Sequence, residues 1–368
     1  MSRHLVMTAD AVGGVWQYAV ELARALVRHG WRTTLLVAGP QPTPAQRRTL
    51  AGVAGLSCLD AGIDLDWLAS SSQEVLCAGR RVARIAADLD ADLVQLNSPA
   101  LAAGGSFAMP VVAVMHSCVA SWWRAVREGP FPEDFVWRTE LVAEGLRRAD
   151  RIVTPSAAFG RAVQAVYALR QPPHAVHNGR TPLVCRPSAM HDFAFTAGRL
   201  WDAGKNVATL DAVAARLGIP FKAAGPVRGP QGETVAPQDL ALIGEVDEAA
   251  LASCLCARPV FVSAAHYEPF GLAVLEAAAA GCALVLSDIP SFRELWEDAA
   301  IFVAPDDAAA YAAEIERIVT DVPLRLSLGR QAAARARRYT PAAMAAGMAA
   351  VYDQLLPARR QRERRSAA

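Results

Sequence analysis

At 368 residues the chain exceeds what one hydrophobic core supports and is sized for two domains. Hydrophobic residues make up 53%, charged residues 20%, and the formal net charge is +1, which describes a globular protein and excludes a nucleic-acid binder, whose basic excess would show. Seven scattered cysteines (58, 77, 118, 185, 254, 256, 282) form no CxxC pair, so buried thiols are expected rather than zinc ligands; with no signal-like N-terminus and no uncharged apolar run of about 18 residues, a reducing cytoplasm is the expected setting.

In chain order, Leu5 to Thr8 is a short buried strand, followed by a loop carrying Gly13 and Gly14 and by a helix from about Val15 to His29, capped by Gly30. Strand, Gly-Gly loop and helix let backbone approach an oxyanion, although this is not the G-x-G-x-x-G dinucleotide pattern. Thr33 to Ala38, Leu93 to Leu96 and Val111 to Met115 read as further strands, with His116 at the carboxyl end of the last. Asp64-Leu-Asp66 and Asp88-Leu-Asp90 spell DxD without supporting context and read as solvated acidic faces. Ser121 begins an irregular aromatic segment reaching Trp137. In it, Trp122 and Trp123 cannot both face inward, so one is expected to line a cleft or partner surface. Strands at Arg151 to Thr154 and Ala175 to His177 close this half. His174 and His177 face opposite sides of a strand and are not metal ligands.

The Pro-containing stretch Thr181 to Pro187 reads as a linker. Beyond it, the strand Phe193 to Thr196 runs into Gly198-Arg199-Leu-Trp-Asp-Ala-Gly-Lys205-Asn206, where Arg199 offers a bidentate fork and Lys205 a point charge to phosphate oxygens. Phe221 to Ala224 and Leu240 to Ile243 follow as strands, then Gly244-Glu245-Val246 and a helix to Cys256. Helices are expected over roughly 308–319 and 323–338, and a last one from Pro341 to about Leu355. The tail after Pro357 holds five arginines (359, 360, 362, 364, 365) against one glutamate and reads as a frayed, solvated end, with anionic-membrane contact as the lesser alternative.

The centre of the chain is Phe261 to Ser287. Two near-continuous apolar strands flank a polar loop carrying Glu268 and an Ala-rich helix that begins near Phe270 or Gly271 and ends at Gly281. That is a βαβ unit of a parallel sheet, whose helix N-terminus lies at the ligand-binding carboxyl edge. The amides of Gly271 and Leu272, with the helix dipole, form an anion seat. Glu268 and Glu276 at its mouth cannot bind the anion and are suited to accept hydrogen bonds from sugar or ribose hydroxyls.

Glu268-Pro-Phe-Gly-Leu-Ala-Val-Leu-Glu276 resembles the E-x7-E signature of retaining glycosyltransferases with the GT-B fold, family 4 above all, and Gly198 to Asn206 resembles their G-R-L-x-x-x-K-[GN] motif. The resemblance covers nearly the whole chain, strongest from Phe193 to Asp307. Arg258-Pro259 and Ser263-Ala-Ala-His depart from the usual residues before Glu268, without removing a charge-handling group. It implies an α/β fold of two Rossmann-like domains with parallel sheets facing across a cleft: residues 1–180 on the acceptor side, 188–340 on the nucleotide-sugar side, and a helix at 341–356 crossing back.

For the site it implies Gly13 and Gly14 near the donor diphosphate and His116 beside the sugar C6 hydroxyl. Arg199 and Lys205 would neutralise the leaving diphosphate. Glu245 and Val246 would lie near the base, Glu268 and the amides of Phe270, Gly271 and Leu272 against sugar and phosphate, and Glu276 on the ribose. The function it implies is retaining hexosyl transfer from a nucleotide-diphosphate sugar, UDP-sugar before GDP-sugar, with cations in place of a metal and no other cofactor. The acceptor is unnamed, with an aromatic or apolar part suggested by Trp122 and Trp123. The alternatives are a nucleotide-sugar 2-epimerase and a non-catalytic sugar-nucleotide-binding protein.

Overall fold

The computed structural model describes residues 3–185 and 188–366. The chain divides into two compact units, the first comprising the residues up to Trp123, Glu128–Gly179 and those from Pro341, the second built mainly of Arg180–Thr340. Arg186 and Pro187 of the expected linker lie outside the described residues, and Thr181 to Cys185 belong to the second unit.

The strands of the first unit are β1 (Arg3–Asp10), β2 (Trp31–Ala38), β3 (Leu56–Asp60), β4 (Leu93–Leu96), β5 (Val111–Val114), β6 (Arg151–Thr154) and β7 (His174–Ala175). The interior strands β1, β2, β4 and β5 are mostly apolar runs buried on both faces, as a parallel sheet requires, whereas β3 at one edge is largely exposed. They pair in parallel in the order β3-β2-β1-β4-β5-β6-β7. On one face the Gly14–Leu26 helix buries Trp16, Tyr18 and Leu22. The last helix, Pro341–Ser366, covers the same core with Met344, Met348, Val351 and Tyr352. It continues well past Leu355, where the expected helix stopped; the side chains of the arginine-rich tail lie outside the described residues. The opposite face is covered by the Ser72–Asp88 helix, whose cap is Ser71 accepting from the Glu74 amide.

The aromatic segment is irregular only over residues 127–132, between two helices. Val119–Val126 is a helix on which Val119, Trp122, Trp123 and Val126 recur at i, i+3, i+4 and i+7, so adjacent tryptophans share one face. Both remain half-buried, and Trp123 packs edge-on against Phe131 and Phe135 at 6.1 and 5.8 Å.

The second unit repeats the plan with β8 (Ala194–Ala197), β9 (Phe221–Ala224), β10 (Ala241–Gly244), β11 (Val260–Ser263), β12 (Ala283–Ser287) and β13 (Ile301–Val303). All pair in parallel, in the order β10-β9-β8-β11-β12-β13. Apolar cores lie on both faces of this sheet. The expectation that every cysteine is a buried thiol fails twice over: Cys185 and Cys256 form a disulfide, and Cys58 and Cys77 are exposed. Sequence spacing could not reveal the pair, because the two residues are 71 positions apart and meet only once the strand-to-helix crossover closes.

Candidate active site

In a doubly wound sheet the loops diverge where strand order reverses, and ligands bind there at the carboxyl edge. In the second unit that point lies between β8 and β11. The loop leaving β8 begins at Gly198, and its close neighbour is Gly225: a Cβ there, at φ +133°, would stand 1.8 Å from the Gly198 carbonyl oxygen, so only glycine fits. Asp202 organises the rest of this loop, accepting from the Gly204 amide at 2.9 Å and from the Arg199 guanidinium at 3.3 Å. Arg199 stays about half exposed, 5.5 Å from the Trp201 ring.

The loop leaving β11 is tied to the first one, because the amides of His266 and Tyr267 both donate to the Gly204 carbonyl, at 3.0 and 3.3 Å. Lys205 then forms an ion pair with Glu268, two residues 63 positions apart that the sequence offered only separately. The Ser291 hydroxyl donates to the Glu268 carbonyl oxygen and steadies the same turn. At its end Gly271 takes φ +90° and starts the Leu272–Ala279 helix with no side-chain cap and no acidic residue in its first turn. No side chain therefore caps the amides at this terminus, which lie at the positive end of the helix dipole. Glu276, inside the helix, is buried, and its Oε1 accepts from Arg180 Nε at 2.8 Å.

Arg199, Lys205, Glu268, Gly271, Leu272 and Glu276 thus converge on one sheet edge. Two expected contacts are narrower than the sequence reading. Phe270 is buried and stacked edge-on against Tyr339 at 5.6 Å, leaving its backbone as the group able to meet a ligand. Val246 packs against the apolar core beside the exposed Glu245, beyond the end of β10 at the sheet margin.

In the first unit the strand order reverses between β1 and β4. Gly13, in extended backbone, caps the Gly14–Leu26 helix, and a Cβ there would meet nothing within 4 Å, so packing does not demand glycine. Tyr18 of that helix sets its ring edge-on to His116 at 4.5 Å. His116 Nε2 lies 3.0 Å from Asn97 Oδ1, which also accepts from Gln95 Nε2 at 2.9 Å, while Asn97 Nδ2 donates to the Thr8 carbonyl at 2.6 Å. The Asn97 oxygen is therefore an acceptor twice over, which makes Nε2 the protonated nitrogen and Nδ1 the acceptor. Tyr352 extends the chain by donating to Gln95 Oε1. Burial pushes the His116 pKa down to about 4, so the ring is neutral at pH 7.

A cavity of about 550 Å³ also opens in this unit, lined in part by Asp64, Asp66, Glu74 and Arg81. Asp66 departs from its reading as a solvated acid: it accepts from the Ser98 hydroxyl, and burial raises its pKa. Among the described residues no group of three or more His, Cys, Asp or Glu is placed to hold a metal ion, and no helix is long and apolar enough to cross a membrane.

Residues 12–182 match the model of Glycosyltransferase Family 4, and residues 236–335 match that of glycosyl transferases group 1. The chain belongs to the GT-B glycosyltransferases of this type. Among curated relatives, the glycosyltransferase is 36% identical over 118 residues to a phosphatidyl-myo-inositol mannosyltransferase from Mycolicibacterium smegmatis, a match spanning 31% of this chain and 30% of that protein. It is 25% identical to a glycogen synthase from Mycobacterium tuberculosis, over 84% of this chain and 83% of the other. In fold, it resembles a sucrose-phosphate synthase from Thermosynechococcus elongatus with a TM-score of 0.77, at 19% identity over 97% of this chain and all of the other. It also resembles the HepE protein of Anabaena, solved with UDP and glucose, with a TM-score of 0.74 at 16% identity over 96% of this chain and 100% of that one.

Proposed function

We propose that this glycosyltransferase moves a hexosyl group from a nucleotide-diphosphate sugar to an acceptor hydroxyl, with retention at the anomeric carbon and without a metal ion. One observation carries the reading: Arg199, the Lys205–Glu268 pair, an uncapped helix N-terminus and Glu276 meet at the switch point of one sheet. Cations and amides suit a diphosphate; carboxylates beside them suit hydroxyls. That HepE has been solved with UDP and with UDP-glucose favours uridine over guanosine here.

In the proposed reaction the bond from the anomeric carbon to the phosphate oxygen breaks as the acceptor oxygen bonds to the same face. The acceptor's proton passes to the leaving diphosphate. Arg199 and the helix terminus stabilise the charge that develops there, and Lys205 is shared between Glu268 and phosphate. Glu268 steadies positive charge on the sugar. The half-buried cluster of Trp122, Trp123, Phe131 and Phe135 is the surface proposed to meet an acceptor with an aromatic or apolar part.

A thermal-shift panel of UDP, GDP, ADP and their sugar conjugates tests the donor site. One nucleotide is expected to raise the melting temperature of the wild type and of neither Arg199→Ala nor Glu276→Ala. Undiminished shifts in both variants would reject the site. Activity unaffected by EDTA, and a product whose anomeric coupling in NMR matches the donor's, are the expected signs of metal-free retention.

A further inference from the structure

Arg180 is the residue at which the chain enters the second unit, its amide donating to the Tyr339 carbonyl at 3.2 Å and its side chain only 11% exposed. Its Nε reaches Glu276 Oε1 at 2.8 Å, and its Nη2 reaches Glu248 Oε2 at 3.0 Å. One guanidinium thus joins carboxylates from the Leu272–Ala279 and Glu248–Cys256 helices. The strap that follows is fixed along the second of these helices. Glu248 is its first residue, Cys256 is its last and is bonded to Cys185, and Leu183 between them packs on the apolar core.

We propose that Arg180 is a positioning residue for ribose recognition, holding the Glu276 carboxylate in the orientation that accepts hydrogen bonds from the 2′- and 3′-hydroxyls of the donor nucleotide. This rests on the reading that Glu276 faces that ribose. A carboxylate has about four lone-pair sites, so the bond from Nε to Oε1 orients it and is compatible with accepting from a diol as well. A carboxylate this buried without a countercharge is driven toward its protonated form, a poorer acceptor. Glu248, exposed, shares the same guanidinium through Nη2. The planar guanidinium holds the two carboxylates in one fixed geometry on two nitrogens, which the single rotating nitrogen of a lysine ammonium does not.

The test is the calorimetric Kd of UDP, GDP and ADP, each against its 2′-deoxy and 3′-deoxy counterpart, for wild type, Glu276→Ala, Arg180→Ala and Arg180→Lys. For the nucleotide that binds, the wild type is expected to prefer the ribose form about tenfold. That ratio is expected to fall to about twofold or less in Glu276→Ala and Arg180→Ala, and to an intermediate value in Arg180→Lys, which keeps the charge without the fork. A general loss of stability would weaken both forms alike and leave the ratio standing. A wild-type ratio in Arg180→Ala, with the ratio lost in Glu276→Ala, would overturn the role of Arg180 while keeping the nucleotide site. Should Arg180→Ala not fold, a full wild-type ratio in Arg180→Lys overturns it instead. A wild type that binds none of the three nucleotides overturns the donor reading and this inference with it.

Discussion

His116 shows how far a single side chain depends on neighbours that sequence reading passes over. Its place after β5 was legible, but the chain from Tyr352 through Gln95 and Asn97 that sets its tautomer was not, because no local pattern marks residues that meet across a sheet. With the folded-state pKa at about 4 against the ordinary 6.5, the folded protein binds fewer protons than the unfolded chain between those values. Stability is therefore lost as pH falls through that window, and the ring costs nothing above it. Melting temperatures recorded from pH 7 to pH 4 are expected to fall less steeply in His116→Gln than in the wild type; parallel curves would refute this. Lys205 and Glu268 were likewise legible one at a time, each from its own motif. Their pairing needed the backbone bonds from His266 and Tyr267 to Gly204. Arg180 belongs to no motif and emerged only from the contacts of Glu276.

At the scale of elements, the buried interior strands came through best, because a run of apolar residues buried on both faces has few other ways to fold; the exposed β3 and the short β13 carried no such signal and were not read. The Val119–Val126 helix was missed for a specific reason: two adjacent tryptophans were read as incompatible with one face, although residues 100° apart on a helix share a broad stripe. Close backbone approaches are the other feature that patterns cannot reveal. Gly225→Ala would press a Cβ onto the Gly198 carbonyl in a left-handed backbone, and a loss of about 3 kcal/mol or more is expected in denaturant titration, with the loop carrying Arg199 displaced. Arg325, 2% exposed, reaches from the Val322–Ala336 helix to Asp192 and to the carbonyls of His191 and Arg258, anchoring the lead-ins to β8 and β11. Arg325→Met strands those two carbonyls, and about 2–4 kcal/mol of lost stability is expected. A change below about 0.5 kcal/mol, the level of an ordinary surface substitution, would show that the anchor is dispensable.

For the molecule as a whole, length indicated two domains, the family resemblance implied that both are Rossmann-like, and the two parallel sheets have that form. The cysteines were expected as buried thiols, and the Cys185–Cys256 bond was not foreseen. Closing a loop of this length can restrict the unfolded chain by up to about 4 kcal/mol in the entropic account. Dithiothreitol is expected to lower the melting temperature of the wild type and to leave Cys185→Ser unaffected; equal responses would assign the effect to some other group.

The last helix has a consequence for how the protein is made. Met344, Met348, Val351 and Tyr352 complete the core that Trp16, Tyr18, Leu22 and Trp31 begin, so during synthesis the sheet of the first unit waits for a helix more than 160 residues downstream of its last strand before its apolar side is covered. The segment from Arg180 to Thr340, synthesised later, can close its own core earlier. The order of emergence and the order of completion run in opposite directions, and the early sheet is the part left for chaperones to shield during translation.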